Sequence, residues 1–249
     1  MSGEVHGLSE FYRAPPGRVA ARLVGARIKA LWPEAKGLDV LGLGWGAPYL
    51  RLWPERAEAE RQGRRIGLTP PGLGPMPGSA QALGNHLPLP DGCMDRILLI
   101  HGLEASEGAQ ALLRECWRVL RDDGRLLIVV PNRLGFWSLF DHTPFGQGRP
   151  YSRGQLSRLL EQQMFRVARH DAALFVPPFP WRFALRGAAV WDRFGRRIVP
   201  RLGGVTLIEA EKDLFAAIPA GALAVRRRVV AELPAGYARL DPTRTDGHP

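Results

Sequence analysis

Cysteine is nearly absent from the 249-residue chain: Cys93 and Cys116 are the only two. Neither sits in a CxxC or beside a histidine cluster, which argues against a disulfide framework and a structural zinc site and fits a reducing, cytoplasmic setting. Lysine is scarce as well, with Lys29, Lys36 and Lys212 the only lysines among 34 basic residues. Long apolar stretches are missing; runs such as Ile97 to Ile100 and Leu126 to Pro131 fall far short of a membrane span. The opening residues MSGEVHGLSEFYR have no apolar core of a secretory signal. GxSxG, HExxH and HxxxH motifs are absent, and adjacent Asp141 and His142 do not make a metal site by spacing. These absences set aside hydrolase and metalloenzyme readings, and there is no internal repeat.

What the chain has in excess is arginine, giving a formal net charge of +10. A basic surface attracts phosphate. The arginines are nevertheless scattered, and the densest run is the triplet Arg226, Arg227 and Arg228. This reads as a solvated surface rather than a nucleic-acid tract, so the expected partner is a small molecule, with neither nucleic acid nor a membrane span; oligomeric state is not legible.

Hydrophobic spacing supplies the elements. Ala20, Val24, Ile28 and Leu31 recur at helical intervals behind Pro15 and Pro16, predicting an amphipathic helix over 16–32. LDVLGL (38–43) reads as a buried strand running into glycines, and further strands are expected over 65–68, 94–100 and 125–130. Between the last two, Ala109, Leu112, Leu113, Cys116, Trp117 and Leu120 make one helical face, with Asp123 and Gly124 as its stop. Ser152 and Gln155 form a capping box, opening a helix with an apolar stripe of Leu156, Leu159, Leu160 and Met164. A further helix is expected near 182–196, and strands near 204–209 and 212–216 that would close the sheet antiparallel. Apolar strands alternating with helices predict an α/β, doubly wound, mostly parallel sheet with helices on both faces. The expected division is an N-terminal helical extension (1–36), a main domain (37–218) with a lid-like insertion at 133–151, and a weakly structured tail (219–249).

Gly42, Gly44 and Gly46 follow the first strand directly, at the place where an open α/β sheet receives nucleotide-like ligands. Gly42, Gly44 and Ala47 also satisfy G-x-G-x-x-A, which leaves an NAD(P)-binding Rossmann reading open. Position 62 is Gln and Arg64 and Arg65 precede the second strand, so neither dinucleotide signature is complete.

VLGLGWGAPYL, LPLPDGCMDRILLIHGLE, LLRECWRVLRDDGRLLIVVPN and PYSRGQLSRLLEQQMF, in that order and spacing, resemble the class I S-adenosylmethionine-dependent methyltransferases, especially the type 11 branch, over residues 37–170. The resemblance implies a seven-stranded Rossmann-like sheet with a reversed last strand, S-adenosyl-L-methionine as cofactor, and methyl transfer to a small molecule. Carried over by position, Gly44 and Gly46 would pass under the cofactor's methionine part, Leu87 would lie near adenine, and His101 and Gly102 would face the methyl group. Candidate cofactor contacts are therefore Gly42, Gly44, Trp45, Gly46, Asn85, His86, Leu87, His101 and Gly102, and candidate catalytic residues are His101, His142 and Tyr151. Several family features are missing. Gly42 replaces the usual acid before the glycines, Pro48 replaces the last loop glycine, Thr69 and Pro70 stand where an acid would grip the ribose, and Leu83 takes the place of the Asp near adenine. Glu55, Asn85, His86 and Glu104 are available as substitute acceptors, and Tyr12 as a lid. The missing acids keep open a methyltransferase-like binding protein without catalysis.

Overall fold

A computed structural model of the chain describes residues 3–54, 63–73, 76–106, 108–140, 143–146, 150–175, 188–199 and 201–214. Seven strands form one sheet: β1 (Val40–Gly44), β2 (Arg65–Thr69), β3 (Ala80–Gln81), β4 (Met94–Ile100), β5 (Leu120–Pro131), β6 (Phe165–Ala173) and β7 (Val205–Lys212). Their order is β3-β2-β1-β4-β5-β7-β6. β1 pairs parallel with β2 and β4, and β4 with β5, while β7 runs antiparallel between β5 and β6. The doubly wound sheet with a reversed strand is thus present, and its switch point lies between β1 and β4, whose carboxyl ends adjoin.

β1, β4 and β5 are apolar on both faces, so helices must cover both. On one face α1 (Gly3–Arg13) and α2 (Pro15–Leu31) pack with Trp45, Trp137 and Phe145 over Leu98, Ile100, Leu127 and Val129. On the other, α3 (Ala109–Val119) and α4 (Arg153–Gln162) bury Leu112, Leu113, Cys116, Leu156 and Leu160 against Ile97, Leu99, Leu126 and Ile128. Pro15 and Pro16 fix the start of α2, whose buried stripe is Ala20, Val24 and Ile28 as the spacing predicts. Gly17 is obligatory there, because a Cβ would lie 1.9 Å from the Phe11 carbonyl oxygen. This close approach folds α1 back so that Tyr12 faces the sheet. Ser152 caps α4 as expected: its hydroxyl accepts from Gln155 N at 3.3 Å and the Gln155 side chain accepts from Ser152 N at 3.0 Å.

Several expectations need correction. The helix before β5 ends at Val119 rather than at Asp123 and Gly124; Leu120 already pairs with Met94, and the ladder resumes at Arg125 opposite Arg96, so residues 121–124 loop out within the strand. The two strands expected after Gly204 are one, β7, because its residues are buried continuously from Val205 to Ala210. The other antiparallel strand is β6, whose Arg166, Arg169 and His170 obscure its apolar positions. Met164 is exposed, with φ of 59°, at the turn into β6 instead of in the α4 stripe. The late helix, α5, spans Ala188–Ile198. Residues 215–249 fall outside the described residues, as do Glu55, Asp141 and His142.

At the amino ends of β1 and β4, Asp39 and Asp95 knit the strands together. Asp39 accepts from Arg64 N at 2.8 Å, Arg64 Nη2 at 3.1 Å and Arg121 Nη2 at 3.3 Å, and its own N–H donates to Asp95 at 2.7 Å. These charges stand at the end of the sheet opposite the switch point.

Candidate functional site

β1 ends in Gly44 with φ of +70°, and Trp45 N donates to Ile100 O at 2.6 Å, turning the loop across the end of β4. A Cβ on Gly44 would come within 2.2 Å of Ile100 O, so only glycine permits this crossing. Gly42 and Gly46 lie against each other's backbone, and Gly102 lies beside Gly44. The loop places Trp45 inward, where its ring stacks on Tyr12 at 5.2 Å and 16°.

β4 delivers His101 to the same point. Its φ of 51° is in the left-handed region, a strained conformation for a residue with a Cβ, and its side chain is buried. Nδ1 lies 2.8 Å from Glu104 Oε1 and Nε2 lies 2.7 Å from the Tyr12 hydroxyl. Nδ1–H donates to the carboxylate, which can only accept, and this leaves Nε2 to accept the Tyr12 O–H. Phe145 tilts against His101 at 5.2 Å and Phe11 meets Phe145 at 5.8 Å, so the relay is walled by aromatic rings. Burial, with the neighbouring Tyr49 and Glu104, holds the Tyr12 phenol well above its ordinary pKa, and burial likewise raises that of Tyr49.

One buried polar atom here has no hydrogen-bond partner, Glu104 Oε2, while the buried Tyr49 hydroxyl faces that of Tyr12. An unpartnered atom of this kind is costly unless something meets it, typically about 1–3 kcal/mol.

The remaining candidates divide clearly. Leu87 is a core residue of the α3 face whose N–H donates to Glu115 at 2.8 Å, whereas Asn85 and His86 are exposed. Thr69 is fully buried, with its hydroxyl donating to Ser79 at 2.9 Å. Leu83 is 60% exposed. Tyr151 packs against the α3 and α4 face, away from the His101 cluster, and its backbone bridges to Asn132. The structure therefore assembles Gly44, Trp45, His101 and Gly102 at one place and adds Tyr12, Glu104 and Tyr49. Glu104 had a local signal, three positions past a histidine that ends a strand. Tyr12 had none, since it lies 89 positions from its partner.

A family model described as a methyltransferase domain matches residues 50–128. That segment is similar to the class I S-adenosylmethionine-dependent methyltransferases. The fold superposes on that of a methyltransferase of Thermotoga maritima with a TM-score of 0.57 at 16% identity, covering 82% of this chain and 93% of that one. A second, from Archaeoglobus fulgidus, gives 0.51 at 21% identity over 76% and 93%. Among curated proteins, YafS of Escherichia coli K12, described as uncharacterized, is 33% identical over 143 residues, 55% of this chain. The match spans 56% of YafS, about half its length. S-adenosyl-L-methionine is the cofactor of this methyltransferase class.

The residues present suit that cofactor at its methionine end. It is cationic at sulfur and at the amino group, and the unpartnered oxygen of Glu104, the carboxylate bonded to His101, offers a cation a buried acceptor. No carboxylate stands at the end of β2, where Thr69 is already bonded within the protein.

No helix among the described residues is long and apolar enough to cross a membrane, and no three potential metal ligands cluster there.

Proposed function

We propose that the chain transfers a methyl group from S-adenosylmethionine to a small molecule at the end of β4. The observation that carries this reading is the buried Tyr12–His101–Glu104 relay beside the glycine loop. When bound, the cofactor supplies a methyl group activated on a sulfonium centre. The protein's contribution is alignment plus removal of one proton.

Glu104 and Trp45 would hold the cationic end, with the backbone of Gly44 and Gly102 beneath. An acceptor X–H would pass its proton to the Tyr12 oxygen as Tyr12 passes its own to His101 Nε2. Glu104 stabilises the resulting imidazolium, which releases the proton after the product leaves. Because burial raises its pKa, Tyr12 stays a neutral phenol, so it accepts the acceptor's proton only by handing its own to His101 in concert. Asn85 and His86, exposed at the turn before β4, complete the proposed cofactor contacts on the adenine side.

The test is to incubate the full chain with methyl-tritiated cofactor and a low-molecular-weight cell extract, following label into new products. Labelled product should form, and H101A and Y12F should each slow its formation by about 100-fold or more. Cofactor binding without any labelled product would favour a binding protein instead.

A further inference from the structure

Beside the relay, α2 and the short 3-10 turn Ala47–Leu52 enclose a cleft of about 630 Å³. Tyr12, Trp45 and Tyr49 form its aromatic wall. Arg18 and Arg22, one helical turn apart on α2, stand on one side and Arg51 on the other. No acidic side chain lines it among the described residues, and none of these three arginines has an ion-pair partner there. Lys29 is engaged differently, reaching across to Leu52 O at 3.3 Å and closing one end. The Tyr49 side chain is buried, with its hydroxyl next to that of Tyr12.

Three guanidinium groups lining one cleft, with no acid among the described residues that line it, favour an anion between them. Guanidinium favours carboxylate or phosphate, with which it makes paired, charge-assisted hydrogen bonds. The wall favours a flat or apolar body. Tyr12 belongs both to this wall and to the relay, so a molecule in the cleft would have its reacting group next to the Tyr12 oxygen.

We propose that this cleft binds the methyl acceptor, and that the acceptor is an organic acid: an aromatic or otherwise apolar body carrying a carboxylate or phosphate held by Arg18, Arg22 and Arg51. This rests on the reading of the chain as a methyltransferase, but its test does not require turnover.

The full chain is titrated calorimetrically with 2-naphthoate, 2-naphthyl phosphate and neutral 2-naphthol. At least one anion should bind about 10-fold or more tightly than 2-naphthol, and raising the salt from low to high should weaken it. R18A, R22A and R51A are surface changes that leave the core intact; each should weaken the anion by about 3- to 10-fold while leaving 2-naphthol unchanged. Preference for the phosphate or the carboxylate identifies the acidic group. Failure of both anions to bind, equal binding of 2-naphthol, or indifference to all three arginine variants overturns the proposal. So does complete competition by S-adenosylhomocysteine in a chain that binds it, since the cleft would then belong to the cofactor. Absence of any S-adenosylmethionine binding, with anion binding intact, would instead remove the methyltransferase reading and leave the acid site standing.

Discussion

The Tyr12 hydroxyl lies 2.7 Å from His101 Nε2, joining the last turn of α1 to the end of β4 across 89 positions of chain. Because Nδ1 of the same ring faces Glu104 at 2.8 Å, the two bonds fix the tautomer. Nitrogen-edited NMR of the imidazole should show a protonated Nδ1 and a bare Nε2 at neutral pH. In Y12F the Nε2 resonance should move while the ring at position 12 stays stacked on Trp45; a protonated Nε2 in the unaltered protein would contradict the relay.

Gly44 and Gly154 should respond oppositely to the same substitution. At Gly44, φ is +70° and the added methyl would meet Ile100 O at 2.2 Å, so G44A should lose about 3 kcal/mol or more or fail to fold. At Gly154, in the first turn of α4, a Cβ meets nothing within 4 Å, so G154A should gain about 0.5–1 kcal/mol. Urea denaturation followed by circular dichroism separates the two.

The glycine loop illustrates what the sequence made legible. Its position after an apolar run was plain, and so were α2, α3 and the cap of α4, because each is written in local spacing around residues such as Val24, Leu113 and Ser152. β6 was hidden, since only Phe165, Ala172 and Ala173 among its residues are buried and Arg166, Arg169 and Asp171 put charge on this edge strand. The site was half visible: Gly44, Trp45 and His101 follow from strand ends, whereas Tyr12 arrives through a helix fold-back that depends on Gly17, a contact of the kind no spacing rule encodes. Leu87 shows the reverse, a family position that the core has claimed.

Alkaline pH should unfold the protein earlier than its arginine content suggests. Burial raises Cys116 from 9.0 to about 12 and also raises Tyr12 and Tyr49 from 10.0. For groups whose folded pKa is raised, the stabilisation is complete below the unfolded value and is lost as pH climbs toward the folded one, because the unfolded chain releases its protons first. Stability should therefore fall above pH 9, by up to about 1.4 kcal/mol per pH unit for each group. C116A should flatten the first part of that slope, though it will itself be less stable by about 1 kcal/mol from the smaller side chain. Chemical denaturation at a series of pH values from 8 upward measures both.

Asp39 should matter for stability and not for ligand binding. Its carboxylate is buried and accepts from Arg64 and Arg121 at the amino ends of β1 and β4, the far end of the sheet from His101. Removing the charge leaves Arg121 with Asp95 alone, so D39N should lose about 2–3 kcal/mol. Affinity for S-adenosylhomocysteine, read on the folded variant, should stay within about twofold.

The most direct test of the account is calorimetric titration of the full chain and of E104Q with S-adenosylmethionine. The unpartnered Glu104 oxygen is assigned to the cofactor's cationic end, so the unaltered chain should bind in the micromolar range and folded E104Q should bind about 10-fold or more weakly. No heat and no thermal shift at millimolar ligand, or equal binding by E104Q, would contradict it.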